Sequence, residues 1–450
     1  MRIVGCYAQT ELGHGSNVAG LETTATLDLD TDEFVIHCPN IEATKYWPGD
    51  MGMSANSAVV YANLMIKNKS FGVQPFFVPL RDFETHKNLP GITSGDIGPK
   101  IGFESKENSW LILEKVRVPR ENMLMKYAKV DREGNFRIEG DLRVLYSIMM
   151  QTRVFISAMA SHDLASCLTI AVRYATVRRQ FATLPDKLKS ERRLIDYQTH
   201  QFKLLPPLAM AYANNFAIAY MKKEIATLME SIKAKDFHSL PLLHHLTSTF
   251  KSVLTWDSLL HCEQIRQSCG GAGFLRSAGF HNILQNNYAN PTHEGENTVM
   301  AHQGAKFIYN QLHAALNHSQ VHPIFDYLLK YEQNKKTVSS LKTKTDFLNP
   351  DNLLACLGLN AGIHAFSLGQ KMTSSKASPL EKENDLFGQE QVRMVINHAS
   401  YIIFKLFKDG IELQNFSQNT KNQLYSLLVL YGHGCLKKDG IFLFDGGYLK

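Results

Sequence analysis

Near Asp141 the spacing of apolar residues changes, and that change constrains the fold more than any other feature. Upstream, apolar and β-branched residues come in short runs: Thr23–Leu27, Phe34–Cys38, Ser57–Ile66 and Val73–Leu80. An acidic spacer, 28–32, separates the first two. Runs of that length bounded by turn residues predict strands. Gly91–Gly102, with proline and glycines, reads as loop, and Trp110–Val118 as a last strand stopped by Pro119. Downstream, Phe155, Ala158, Met159, Ala165, Leu168, Val172 and Ala175 recur at three- and four-residue steps, which predicts a helix with these residues on one face. A second helix is expected from about Glu191, kinked or ended by Pro206-Pro207. Lys222–Ala234, Thr247–Ser268 and Thr298–Leu316 continue the helical character, with a break at Gly270–Gly273. The polar stretch Asn334–Lys344 reads as a linker, and the rest of the chain as helical. The expectation is an α+β chain of three parts: a β-barrel-like domain over 1–130, a helical bundle over 131–330 and a second helical domain over 331–450.

Composition narrows the function. With 44% hydrophobic and 20% charged residues the chain can build a core. Its net charge of +6 is mild and spread out, apart from short clusters such as Lys187–Arg193, so nothing points to nucleic acid. The seven cysteines are odd in number and form no CxxC pair, which argues for a reducing compartment rather than a disulfide framework. No apolar run approaches the roughly 20 residues of a membrane span, and the start is too short in apolar residues for a signal peptide.

Common catalytic motifs fail. Gly13-His14-Gly15 starts like a dinucleotide loop, but Val18 stands where glycine is needed. The histidines lack paired ligand spacing, so no metal is expected. Three segments are unlike plain scaffold. Gln9–Asn17 crowds hydroxyl, amide and glycine donors into one loop, suited to a heteroaromatic ring or phosphate, or to an ordinary polar turn. Lys45–Gly52 sets two aromatics before Pro48-Gly49, suited to stacking on a flat cofactor or to a hydrophobic corner. Thr292–Thr298 holds Glu294 and Glu296 beside a glycine at a helix start, where a carboxylate serves either chemistry or capping.

In order along the chain, these segments resemble the acyl-CoA oxidases. Cys6–Asn17 with Gly20–Thr26 is similar to that family's signature, and Lys45–Gly49, Gly95–Phe103, Arg178–Phe181, Asp196–Gln198, Cys269–Phe274 and His293–Thr298 follow at its spacing. The resemblance implies FAD held between the β domain and the helical bundle of a homodimer. It implies Thr10, Gly49, Gly270, Gly271 and Gly273 as FAD contacts, and Arg178 as the arginine reaching the cofactor's pyrophosphate across the dimer. Glu294 matches the proton acceptor, with His293 where the family has tyrosine. The implied reaction converts a fatty acyl-CoA and O2 to trans-2-enoyl-CoA and hydrogen peroxide in the peroxisome.

Three departures accompany it. The family's N-terminal helical domain would precede Gln9-Thr10, so this sequence is expected to lack it; the end at Asp445–Lys450 resembles an interior segment and is no peroxisomal signal. Phe274, like His293, is an unusual residue for its place. Two other readings are an acyl-CoA dehydrogenase passing electrons to a protein, and a truncated non-catalytic paralogue that binds acyl-CoA. The first is disfavoured because dehydrogenases end soon after the catalytic glutamate, whereas this chain runs on to Lys450.

Overall fold

The computed structural model describes residues 3–140, 147–181 and 191–449. The expected change of period at Asp141, and residues 187–190 of the basic cluster, lie outside them. The chain divides into two compact units, Met1–Tyr146 and Ser147–Lys450.

In the first unit, β1 (Gly5–Ala8), β2 (Thr24–Asp28), β3 (Glu33–His37), β4 (Lys45–Gly49), β5 (Ser57–Ile66), β6 (Lys69–Pro79), β7 (Ile92–Asp96), β8 (Asn108–Leu113) and β9 (Val116–Pro119) precede a hairpin of β10 (Ala128–Val130) and β11 (Phe136–Ile138). One sheet runs β1-β5-β2-β3-β9, with β6 paired to β5; a second runs β4-β8-β7. β1 and β2 both pair parallel with β5, through Gly5↔Ser57 and Thr24↔Asn63, while β5 and β6 are antiparallel. The alternation is visible in the register: Ala25 and Leu27 of β2, and Phe34 and Ile36 of β3, turn into one core with Val60, Leu64, Phe76, Leu111 and Leu113. Thus the first strands fall close to their predicted limits. Gly91–Gly102 does not stay loop, since 92–96 pairs with β8. A Cβ on Gly95 would stand 2.8 Å from the Trp110 ring opposite, so the glycine admits the indole rather than breaking the strand. Trp110–Val118 is two strands, not a last one.

The second unit is helical: α1 (Ser147–Val177), α2 (Gln198–Lys233), α3 (Leu240–Ser268), α4 (Phe280–Asn287), α5 (Asn297–Leu316), α6 (Asp326–Leu329), α7 (Tyr331–Ser340), α8 (Pro350–Ser374), the single turn α9 (Pro379–Glu381), α10 (Gly388–Leu413), α11 (Gln418–Asp439) and α12 (Ile441–Asp445). α3 lies at its centre, in contact with α1, α2, α4, α5 and α10. Every residue from His245 to Thr255 is buried, which is the pattern of a helix packed on all sides.

Three helical expectations need correction. α1 buries only part of the face read from the sequence: Leu168 and Ala175 are buried, but Phe155 is 68% exposed and Ala165 is exposed too. The inner face also carries Val154, Ser157, Ala160, Leu164 and Ala171, and its serine and alanines let α3 come close. α2 begins at Gln198 rather than Glu191, and it does not end at Pro206-Pro207. Two backbone donors are lost there, yet Leu204, Pro207, Ala209, Ala213 and Ala217 are buried against neighbouring helices, and that packing outweighs the local penalty. Nor is Asn334–Lys344 simply a linker. α7 covers most of it and sends Val338 into a core with Cys356, Leu359 and Leu443. By length and composition α1 and α8 could cross a membrane, but half or more of each apolar window is buried inside the unit, as in a core helix.

Candidate active site

In the first unit the two cofactor motifs are laced together. The Tyr46 amide donates to the Thr10 carbonyl at 2.9 Å, the Leu12 amide to Thr44 and the Gly13 amide to Glu42, also at 2.9 Å. Beneath them lies a buried ion pair. Lys45 Nζ donates to Glu11 Oε1 at 3.0 Å, to the Gln9 carbonyl at 3.1 Å and to the Tyr61 carbonyl at 2.7 Å. The Glu11 carboxylate also accepts from the amides of Glu22 and Thr23 and from the Thr23 hydroxyl. Burial pushes the Glu11 carboxyl up, but the Lys45 charge and these hydrogen bonds prevail and hold it below the ordinary carboxylate range. Thr10 is thus fixed by backbone bonds on a rigid floor. Gly49 ends β4, and a Cβ there would meet the Lys106 side chain at 2.6 Å. Between them Trp47 is 54% exposed and takes a left-handed backbone at φ 85°. Its ring stands edge-on to Tyr46, at 5.8 Å between centroids.

In the second unit Arg178 directly follows α1 and is exposed; its guanidinium donates to Gln180 Oε1 at 3.3 Å. The Arg178–Phe181 and Asp196–Gln198 motifs meet: the Leu194 amide donates to the Arg178 carbonyl, and the Tyr197 hydroxyl to the Gln180 carbonyl at 2.6 Å. Gly270–Phe274 is a tight turn after α3. Gly270, at φ 60°, and Gly271 have nothing within 4 Å of where a Cβ would stand and are exposed, so their backbone is open to a ligand. Gly273 is buried for the opposite reason, since a Cβ would overlap the Arg266 carbonyl oxygen. Phe274 is 84% exposed, with the Arg266 guanidinium 5.8 Å from its ring centroid.

The two glutamates before α5 part company. Glu296 is the N-cap, its carboxylate accepting from the amides of Thr298 at 2.8 Å and Val299 at 3.2 Å. Glu294 is exposed and left-handed at φ 54°, a conformation a non-glycine residue adopts at a cost of about 1–3 kcal/mol. Its Oε2 accepts from the Thr152 hydroxyl at 3.2 Å, and its carbonyl from Arg153 Nε at 3.1 Å. Gly295, at φ 105°, has its carbonyl on Lys251 Nζ at 2.6 Å. Burial, then the neighbouring Lys251 charge, lowers His293 to about 4, so its imidazole is neutral at physiological pH. Burial and the Arg153 charge lower Lys251 to about 7. Among the described residues, no group of three or more His, Cys, Asp or Glu could hold a metal ion.

Residues 146–309 match the family model of the acyl-CoA oxidase C-alpha1 domain. Peroxisomal acyl-coenzyme A oxidase 1 of Cavia porcellus is 39% identical over 98% of this chain and 68% of its own length. The chain belongs to the acyl-CoA oxidase family. The Arabidopsis thaliana peroxisomal acyl-coenzyme A oxidase 1 is 38% identical over 97% of the chain and 66% of its own length. Among solved structures, Arabidopsis thaliana acyl-CoA oxidase 1 superposes with a TM-score of 0.93 at 35% identity, covering all of this chain and 68% of that one. A Caenorhabditis elegans acyl-CoA oxidase-1 complexed with FAD and ATP gives 0.89 at 32%, covering all of this chain and 66% of that one.

For this acyl-CoA oxidase chain, motif reading found the loops but missed what holds them. Glu11 and Lys45 lay inside quoted motifs without a role. Arg153 and Lys251 went unnoticed, although the signal was there: Arg153 is the one lysine or arginine from Ser147 to Val172, and Lys251 interrupts an apolar and hydroxyl-bearing stretch of α3.

Proposed function

We propose that this chain oxidises a fatty acyl-CoA to the trans-2-enoyl-CoA with Glu294 as the base, FAD as cofactor and O2 as final acceptor, in the peroxisome where its family acts. The oxidase reading is preferred over the dehydrogenase one because the relatives named above are oxidases. The observation that carries the role of Glu294 is its conformation: an exposed carboxylate on a left-handed residue held by two adjacent residues of α1, beside a second glutamate already committed as a helix cap.

A thioester α-hydrogen is weakly acidic, so removal needs a base placed at the carbon rather than a strong one free in solution. Thr152 donates to Oε2 of Glu294, and among the described residues Oε1 accepts from none, so Oε1 takes the proton. FAD, held by the residues named below, would supply the oxidant: the β-hydrogen would leave to it as hydride, and the two electrons and that proton, with the α-proton taken by Glu294, would balance O2 to hydrogen peroxide. Thr10, Gly49, Arg178, Gly270, Gly271 and Gly273 are proposed, residue by residue, as FAD contacts. The open backbone at Gly270 and Gly271 and the exposed guanidinium of Arg178 fit a flat, anionic cofactor. The homodimer is proposed with them, Arg178 serving the partner's cofactor.

The test is Glu294→Gln, which keeps the shape and removes the basicity. FAD should remain bound, and flavin bleaching by a saturated acyl-CoA should slow about 10²–10⁴-fold. Glu296→Gln, the control, should bleach within a few-fold of wild type. Bleaching of Glu294→Gln at the wild-type rate would remove it from the role.

A further inference from the structure

Two consecutive carbonyls of the catalytic loop each rest on a buried cation. Arg153 is 6% exposed on α1 and donates to the Glu294 carbonyl at 3.1 Å and to Ser248 Oγ at 3.2 Å. Lys251 is fully buried on α3 and donates to the Gly295 carbonyl at 2.6 Å and to Asn297 Oδ1 at 3.0 Å. Among the described residues neither cation has a carboxylate within ion-pair distance. Burying a charge without a directly paired counter-ion costs several kcal/mol, and here hydrogen bonds, with the more distant Glu294 and Glu296 carboxylates, offset it. Apart from the Arg153 bond to Ser248 on α3, those bonds go to one short segment: the residue proposed as base, the glycine after it, and Asn297 at the start of α5.

The backbone gives the reason. Glu294 and Gly295 both have positive φ, at 54° and 105°. Two such residues in succession leave the helical and extended regions, and neither ladder of those structures can satisfy their carbonyls. A conformation of this kind persists only where its surroundings over-determine it. α1 and α3 do so from two directions. Thr152, next to Arg153 on α1, donates to the Glu294 carboxylate itself, so a single turn of α1 holds both the carbonyl and the reactive group. Asn297 is tied to α3 by three further bonds: its amide nitrogen donates to the Ser252 carbonyl and the Thr255 hydroxyl, and its carbonyl oxygen accepts from Thr255 at 3.3 Å.

We infer that Arg153 and Lys251 are positioning residues that set the direction of the Glu294 carboxylate through its backbone. The inference rests on the reading of Glu294 as the base. An error of about an ångström in the placement of a reacting group can lower a rate a hundredfold.

The experiment uses the full 450-residue chain and the variants Lys251→Met, Arg153→Met and Arg153→Lys, with two readouts. The first is amide hydrogen exchange in the peptide spanning 292–298. The methionine variants should exchange at least tenfold faster there, with peptides from β5 and α8 at wild-type rates, and Arg153→Lys should fall between them and wild type. The second is single-turnover flavin bleaching by decanoyl-CoA. The methionine variants should bleach on the order of 10²-fold more slowly at an unchanged dissociation constant for the acyl-CoA. The double variant Glu294→Gln with Lys251→Met should be no slower than Glu294→Gln alone, because a residue acting through another adds nothing once that one is gone. Wild-type exchange over 292–298 in the methionine variants, or rate losses that multiply in the double variant, would overturn the inference. If the methionine variants do not fold, Arg153→Lys decides by the same exchange comparison. Wild-type bleaching by Glu294→Gln alone identifies a failure of the base assignment instead, with the exchange result still reporting whether the two cations hold the loop.

Discussion

At the scale of single residues, this molecule places charges where they fix backbone. Glu11 and Lys45 have side chains with no exposed surface; Lys45 bonds the Gln9 carbonyl beside Thr10, and the Glu11 carboxylate ties the same loop to Lys45, Glu22 and Thr23. Removing one partner leaves the other buried and unpaired, which costs about 3–5 kcal/mol. Glu11→Ala should therefore lower the thermal midpoint of the β unit, measured by circular dichroism; an unchanged midpoint would mean that the pair adds nothing. The sign of the acid dependence follows from the lowered Glu11 pKa. Its contribution is present above the ordinary carboxylate value of about 4.3 and is lost as pH falls through the depressed folded value. In Glu11→Gln that acid slope should flatten.

Among the helices, a chain of buried polar rings ties distant parts of the chain together. The Tyr327 hydroxyl of α6 stands 2.9 Å from His398 Nδ1 of α10, His398 Nε2 stands 3.0 Å from His245 Nε2 of α3, and His245 Nδ1 stands 2.8 Å from the Gly304 carbonyl of α5. One pattern satisfies all three contacts: Tyr327 donates to His398, His398 to His245 and His245 to the carbonyl, with both imidazoles neutral. Burial holds His398 well below its usual range and His245 at about 4. The folded state therefore resists protons that the unfolded chain accepts from about pH 6.5 downward. The contribution of these two rings to stability should be level above 6.5 and fall between 6.5 and about 4, by about 3 kcal/mol for His245 alone. Urea unfolding across that range measures it, and the paired change His245→Asn with His398→Asn should make the slope shallower by the share of these two rings, the other buried histidines keeping theirs. A wild-type profile flat to pH 4 would contradict the hydrogen-bond pattern.

For the whole molecule the open question is assembly. Arg178 and Phe181 are exposed at the end of α1, Phe181 by 72%, and Phe274 is exposed by 84%. If the proposed homodimer forms, sedimentation at micromolar concentration should give twice the 50.8 kDa chain mass. Arg178→Ala should leave that mass unchanged while weakening FAD retention, read from flavin absorbance after gel filtration. A strict monomer that binds FAD stoichiometrically would refute the assembly.

Much of this was legible in the sequence, for a physical reason. Strands β2, β3 and β5 follow from local apolar runs because a strand's two faces are written in its own alternation, and the order of the seven motifs is a property of the chain alone. The tertiary structure decided what depends on residues far apart. α2 continues through Pro206-Pro207 because other helices pack against it. Gly95 sits in a strand because Trp110 crosses it, and Phe155 faces outward because smaller residues of α1 meet α3. The two glutamates before α5 are alike in composition. What separates them is that Glu296 finds free amides on the helix below it, while the carbonyl of Glu294 meets an arginine from 141 residues earlier in the chain. No local pattern encodes that meeting, because it exists only once α1, α3 and α5 have packed.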